Sequence, residues 1–363
     1  MFVALRDLRF AKGRFALMGT VVVLITLLVT MLSGLTAGLA RENVSAIEDL
    51  PADHVVFAAG GDPSFADSRI SESAWRAWRD LDGVRAERLG VSMARLTRGD
   101  RGAAAAVFAV QPGGSLAPRS LRPGTVVLSE ALAGNGGPAA GDVGDVGNVG
   151  KTVRLLGRDL TVAGTTGPAS YSHAPVAWIA IEDWAAALRG QTGPGTAATV
   201  LALRTGGRAD LAAADARLGT VTVPLADASA AIGSYTSENG SLQLMRGLLF
   251  AISALVIGAF FTVWTIQRRG DVAVLKALGA GTGYLLRDAL AQAVIVLLLG
   301  AGLGGLLGAA LGALAEGTVP FVLSATTTVV PVAVMVVLGA AGAALAIRKI
   351  TSVDPLTALG ASR

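Results

Sequence analysis

Ala289-Leu-Ala-Gln-Ala-Val-Ile-Val-Leu-Leu-Leu-Gly300-Ala-Gly-Leu-Gly-Gly-Leu-Leu-Gly-Ala-Ala-Leu-Gly-Ala-Leu-Ala315 runs from Asp288 to Glu316 without one Asp, Glu, Lys or Arg. A hydrocarbon core about 30 Å thick takes about 20 apolar residues in helix, so this stretch reads as a membrane span. Gly300, Gly304, Gly308 and Gly312 recur at every fourth position and share one helix face. Small residues in such a row let a second backbone approach closely, so that face is expected to pack tightly against a neighbouring span. Three further charge-free stretches flank it, at 317–347, 247–267 and 15–40. The first of these in the chain is too long for the apolar core of a signal peptide and is expected to be a retained anchor.

The short segments beside the spans fix an orientation. Residues 1–14, 268–288 and 348–363 together carry eleven Lys and Arg against four acidic residues, Asp7, Asp271, Asp288 and Asp354. Basic flanks stay in the cytoplasm, so both termini and the 268–288 loop are expected inside. Residues 41–246 are near neutral and are expected outside, with Glu316 in a short outer turn. The layout is thus an α-helical membrane protein of four transmembrane helices with an extracytoplasmic α+β domain inserted between helices 1 and 2. Before the first span, Phe2, Leu5 and Leu8 alternate with Arg6, Arg9 and Lys12. That segment either lies on the inner leaflet as an amphipathic helix or carries charge only to orient the span.

Composition narrows the function. The chain of 363 residues is 52% hydrophobic and only 15% charged, against about 25% in an ordinary soluble domain. It has no Cys, which removes disulfides, thiolate metal sites and a Cys nucleophile. No basic and aromatic interleaving suggests nucleic acid, and no ionisable residue lies within any span to serve an ion relay. Gly150-Lys151-Thr152 imitates the end of a P-loop, but Asp145 stands where that motif needs Gly. Ser129, His173 and Asp183 lie in no nucleophile elbow. His54 and His173 lack the paired spacing of metal ligands. No catalytic residue and no metal or cofactor site is expected in this chain.

Within 41–246, Ser71–Asp82 reads as a short helix ended by Gly83, with Trp75 and Trp78 turned into a core. Runs at 104–110, 125–128, 151–155, 160–163, 176–181 and 199–203 read as strands of small, twisted sheets. The repeat Gly141-Asp-Val-Gly-Asp-Val-Gly-Asn-Val-Gly150 suits a surface loop.

The inner loop is the most specific passage. In Gln267-Arg-Arg-Gly-Asp-Val-Ala-Val-Leu-Lys-Ala-Leu-Gly-Ala280, Val272, Leu275 and Leu278 recur every third residue, enough for a short amphipathic helix closed by Gly279. This passage resembles the cytoplasmic signature of FtsX-like, MacB-type ABC transporter permeases, with Asp271 where Glu is more usual. Asp354-Pro-Leu-Thr-Ala-Leu-Gly360 is similar to the closing motif of that family, and Arg6-Asp-Leu-Arg9 with Arg14 to its entry. Val126-Val-Leu-Ser-Glu-Ala-Leu132, Gly150-Lys-Thr-Val-Arg154 and Leu160-Thr-Val-Ala-Gly164 look like its MacB-like periplasmic core domain, interrupted by the glycine repeat. The short chain, compact outer domain and entry segment look most like the DevC and haem-exporter (HrtB-like) permeases.

The resemblance implies a permease subunit without its own ATPase site, paired with a separate ABC ATPase that binds ATP and Mg, and with a second permease copy, in the plasma membrane. It implies export by mechanotransmission, of haem or another hydrophobic small molecule entering laterally from the outer leaflet or from the outer compartment. The ATPase is expected to seat Val272, Leu275 and Leu278, with Arg268, Arg269, Asp271 and Lys276 at the rim and Gly279 ending the helix. The outer half of span one, at Met31, Ser33, Leu35 and Thr36, is the expected substrate region, Met31 offering a thioether if haem is carried. Two other readings stay open: an FtsX-type regulator of an extracellular cell-wall hydrolase, or a permease for lipoproteins or peptides.

Overall fold

The computed structural model of the protein describes residues 12–133, 149–189, 195–207, 209–267, 281–315 and 318–351, with Gly270, Val274 and Gly279 singly. Among the described residues four helices are long and apolar enough to cross a membrane: α1 (Lys12–Glu48), α5 (Tyr235–Gln267), α6 (Thr282–Ala315) and α7 (Ala325–Thr351). The 37 residues of α1 extend about 55 Å at 1.5 Å per residue, well beyond a hydrocarbon core. Helix therefore outlasts the charge-free windows: α1 continues past Arg41 to Glu48, and α5 begins at Tyr235 rather than at 247. Once a helix is nucleated in the apolar span, each further residue adds a backbone hydrogen bond at little cost, so pairing propagates past the span whatever the polarity of the side chains. The fourth span departs from expectation in the other direction. Helix starts at Ala325, not 317, because Ser324 caps it: Thr327 N–H donates to Ser324 Oγ at 3.2 Å, after an extended stretch that contains Pro320.

The described residues form two compact units, divided near Ala37 and Gly240. In the helical unit, Val22 and Val29 of α1, Ile257 and Phe261 of α5, Leu297 of α6 and Met335 of α7 share one buried core. Glycines set the close approaches. A Cβ on Gly339 of α7 would collide with Leu297 of α6, and one on Gly342 would lie 3.4 Å from Gly258 Cα of α5.

The other unit holds twelve strands. These are β1 (His54–Ala58), β2 (Ile70–Ser71), β3 (Val84–Arg98), β4 (Arg101–Val110), β5 (Thr125–Ser129), β6 (Thr152–Leu155), β7 (Arg158–Thr166), β8 (Ser170–Tyr171), β9 (Ala174–Ala180), β10 (Thr196–Ala198), β11 (Val200–Thr205) and β12 (Thr220–Pro224). Helices α2 (Glu72–Arg79), α3 (Ile181–Ala187) and α4 (Leu211–Leu218) lie between them. Instead of several small sheets there is one ten-stranded mixed sheet, ordered β12-β1-β11-β3-β4-β9-β5-β7-β6 with β8 on β9, and a two-stranded ribbon of β2 and β10. The reason is β3: of its 15 residues, Val84 to Leu89 pair with β11, Leu89 to Arg98 with β4, and Thr97 also with Arg154 of β6.

Alternation in β1 sends Val55 and Phe57 into one core with Leu89, Phe108 and Tyr171, and Val56 into another with Trp75, Trp78 and Leu201. Trp78 is fully buried and its indole N–H donates to Thr220 Oγ1 at 3.2 Å. Ser71 caps α2 through Ala74 N–H, but the helix ends at Arg79 rather than at Asp82: Asp80 N–H donates to Arg76 O at 3.0 Å, and Gly83, with φ +76°, turns the chain only after the helix has stopped.

Candidate functional site

The glycine row of α6 lies on α1. A Cβ on Gly300 would meet Val22, one on Gly304 would lie 2.5 Å from Val23 O and 2.9 Å from Thr26 Cβ, and one on Gly308 would lie 2.9 Å from Thr30 Cβ. The two backbones are thus as near as glycine permits. On the α1 side, Thr26, Thr30 and Ser33 follow at helical spacing, are buried, and have hydroxyl oxygens without a hydrogen-bond partner among the described residues. Comparable hydroxyls in α5 bond back along their own helix, Ser253 to Leu249 O at 2.6 Å and Thr265 to Phe261 O at 2.6 Å.

The fourth glycine of the row faces something else. Gly312 of α6 and Gly34 of α1 both border the ring of Phe321, so a Cβ on either would fall within it. Val322 N–H donates to Gly34 O at 3.1 Å, fastening this segment to α1 beside the ring. Of the four residues expected to meet substrate, Ser33 and Thr36 are buried on the inner side of α1, and Thr36 bonds back to Ser33 O at 3.1 Å. Met31 and Leu35 are half-buried on a different face. The four therefore do not converge on one point. Phe321, which no sequence pattern marks, sits against the same turn of α1.

Nearer the C-terminal end of α1 a polar clasp joins three elements. Asn43 Nδ2 donates to Glu238 Oε2 of α5 at 2.8 Å, His173 Nε2 lies 2.7 Å from the same oxygen, and Asn43 Nδ2 and His173 Nε2 are 3.3 Å apart. The turn between β8 and β9 that carries His173 also pairs with α1 through its backbone: Ser172 N–H donates to Asn43 O at 2.9 Å and His173 N–H to Glu42 O at 3.2 Å. Ser170 N–H donates to Ser45 Oγ at 2.9 Å. With Tyr171 opposite Ala174, the turn has two central residues, Ser172 at φ +50° and His173 at φ +60°. Two-residue hairpins of this kind favour Asn and Gly, and other residues in left-handed backbone cost about 1 kcal/mol or more each. The bonds to α1 and α5 hold that conformation. Beside it, burial raises the pKa of the Tyr171 phenol and keeps the group neutral.

Of the expected ATPase-contacting residues, Arg268, Arg269, Asp271, Val272, Leu275, Lys276 and Leu278 lie outside the described residues. Gly279 adopts φ +93°, the left-handed conformation in which glycine ends helices. Residues 1–11, most of the glycine repeat and the tail from 352 also lie outside them. Thr152 opens a strand, whereas a P-loop threonine opens a helix. His173 and Asp183 are engaged apart from each other, Asp183 accepting from Gly124 N–H at 2.6 Å and facing Arg158 at 3.5 Å.

Comparison with known proteins agrees with this architecture. A family model of the MacB-like periplasmic core domain matches residues 15–221, and one of the FtsX-like permease C-terminal region matches 244–355. The chain is 27% identical to a Staphylococcus haemolyticus protein whose name assigns it to a hemin transport system as the permease HrtB, over 99% of both chains. It is 34% identical to an uncharacterized ABC transporter permease of Mycobacterium tuberculosis, over 33% of this chain and 34% of that one. The extracellular domain of the noncanonic ABC-type transporter YknZ from Gram-positive bacteria aligns with 47% of this chain and 97% of its own at 11% identity, with a TM-score of 0.33. Four helices long and apolar enough to cross a membrane, and the two family models matched in chain order over residues 15–221 and 244–355, lead to one conclusion: the chain belongs to the FtsX-like, MacB-type permeases of ABC transporters.

Proposed function

We propose that the chain is the membrane subunit of an ATP-driven exporter acting by mechanotransmission on a hydrophobic small molecule, with haem as the first candidate. The observation that carries this reading is the end-to-end likeness, 99% of both chains, to a protein named for hemin transport. In this account two permease copies assemble with two copies of a separate ATPase, which holds ATP and Mg. Both termini and the 268–288 loop face the cytoplasm, and the large domain faces outward, as the basic flanks favour.

The apolar residues Val272, Leu275 and Leu278 give affinity for a groove on the ATPase, and Arg268, Arg269, Asp271 and Lys276 fix register at its rim. Closure of the ATPases shifts the inner ends of α1 and α5, and each helix carries the displacement along its length because a continuous helix resists bending. The Asn43, His173 and Glu238 clasp ties the outer parts of these two helices to the β8–β9 turn, so the sheet follows. Substrate enters from the lipid near the outer half of α1, where Ser33, Thr36, Met31 and Leu35 present two faces.

Reconstituting the permease with its ATPase in nanodiscs and following ATP hydrolysis as haem is added tests the substrate. Stimulation that saturates with haem is expected. Hydrolysis indifferent to haem, but raised by an extracellular cell-wall hydrolase, would replace export by the regulatory reading.

A further inference from the structure

The outer domain contains a polar cleft that the transport reading does not use. It has a volume of about 580 Å³ and is bordered by Asp53, Gly83, Arg85, Arg204, Thr205 and Gly206. Arg85 of β3 and Arg204 of β11 are direct partners in an antiparallel pair, so both side chains leave the same face of the sheet. Opposed like charges repel at that spacing. Both arginines are exposed, and among the described residues neither has a carboxylate within 4.0 Å. Elsewhere on the same unit Arg76, Arg79, Arg154 and Arg158 each have one.

The carboxylate within the cleft, Asp53, forms no ion pair within 4.0 Å with either arginine. Asp53 Oδ2 accepts from Thr205 N–H at 2.7 Å, which ties it to the backbone of β11. The floor is backbone as well: Gly206 N–H donates to Gly83 O at 3.0 Å, and a Cβ on Gly83 would meet nothing within 4 Å. Two guanidinium forks therefore share an open space with little side-chain bulk near them. Each fork matches the oxygens of a phosphate or carboxylate, and an anion between them removes their mutual repulsion.

We propose that this cleft is an anion-binding site in which Arg85 and Arg204 together grip one phosphate or carboxylate group. The anion comes either from a soluble molecule or from an acidic lipid headgroup, and the chemistry of the grip is the same. The proposal stands apart from what the transporter exports.

The test uses the full chain in an uncharged maltoside, titrated calorimetrically with inorganic pyrophosphate. One saturable site per chain is expected, weakened about tenfold or more in Arg85→Gln and in Arg204→Gln, unchanged in Arg154→Gln, and weakened by salt. Without anion, Arg204→Gln is expected to unfold at the same temperature as the parent or higher, because the repulsion is gone. Pyrophosphate raises the unfolding temperature of the parent and of Arg154→Gln, and much less that of Arg85→Gln or Arg204→Gln. Repeating the titration in nanodiscs containing phosphatidylglycerol separates the sources: a headgroup that fills the cleft abolishes pyrophosphate binding, and a soluble ligand leaves it intact. No saturable binding in maltoside, or equal binding by the parent and both glutamine variants, overturns the proposal.

Discussion

His173 Nε2 lies 2.7 Å from Glu238 Oε2, across 65 positions of sequence, and Asn43 Nδ2 reaches the same oxygen at 2.8 Å. Three elements meet at one carboxylate oxygen there: the β8–β9 turn, α5 and α1. A contact that served only to hold the fold would affect stability and little else. One that transmits movement between helices would affect transport more than it affects stability.

The first prediction separates these. His173→Ala, Glu238→Ala and the double variant form a cycle whose coupling in thermal stability is expected to stay below about 1 kcal/mol, since both side chains are more than a third exposed. In ATP-driven transport each single variant is expected to lose activity well beyond that, and the double variant no more than either. Ser172→Gly relieves the left-handed strain at φ +50° and is expected to stabilise the outer domain by about 0.5–1 kcal/mol while keeping transport.

A second prediction concerns the seam between α1 and α6. Gly304→Ala places a methyl 2.5 Å from Val23 O, which cannot move without bending α1, so a loss of about 1–3 kcal/mol is expected. Gly302→Ala, two residues away, meets nothing within 4 Å and is expected to be neutral or slightly stabilising. Thermal unfolding of both in one detergent checks the pair. Equal effects would contradict the seam.

The slot around Phe321 yields a third. Gly34→Ala forces a methyl into the Phe321 ring and is expected to destabilise strongly, and Phe321→Ala empties the slot, at a cost of about 3–5 kcal/mol. Combining them is expected to cost much less than the two effects added, because the methyl then occupies space that the ring has left. Simple additivity would mean that the ring and Gly34 do not touch.

Membrane topology supplies a fourth. The chain has no Cys, so single cysteines can be introduced without altering it first. Ser120→Cys is expected to react with an impermeant maleimide on intact cells, and Ser362→Cys only after permeabilisation. The reverse pattern would invert the orientation assigned from basic flanks.

The spans were legible because hydrocarbon enforces a length and forbids charge, and Gly300 to Gly312 were legible as a tight face because their spacing matches the helix. Which helix meets that face was not, since glycine spacing names no partner. Short strands such as Thr125–Ser129 and Thr152–Leu155 announce themselves by Gly and Pro at their ends. Val84–Arg98 is bounded by Gly83 and Gly99 as well, but it changes partners along its length and its burial does not alternate strictly, so no two-residue period marks it. His54–Ala58 is a short apolar run that alternation alone cannot assign. The clasp left no local pattern at all: Asn43 and His173 are 130 residues apart, and their pairing exists only once the sheet has formed.

The claim on which the whole account turns is that the inner loop seats a separate ATPase. It is tested most directly by isolating the tagged permease from native membranes in mild detergent, with and without residues 272–278, and identifying co-purifying ATPases by mass spectrometry. An ABC ATPase is expected with the parent and is expected to disappear from the deletion variant while insertion and outer-domain folding persist. An ATPase retained equally by both, or absent from the parent under conditions that keep other membrane complexes whole, would contradict it.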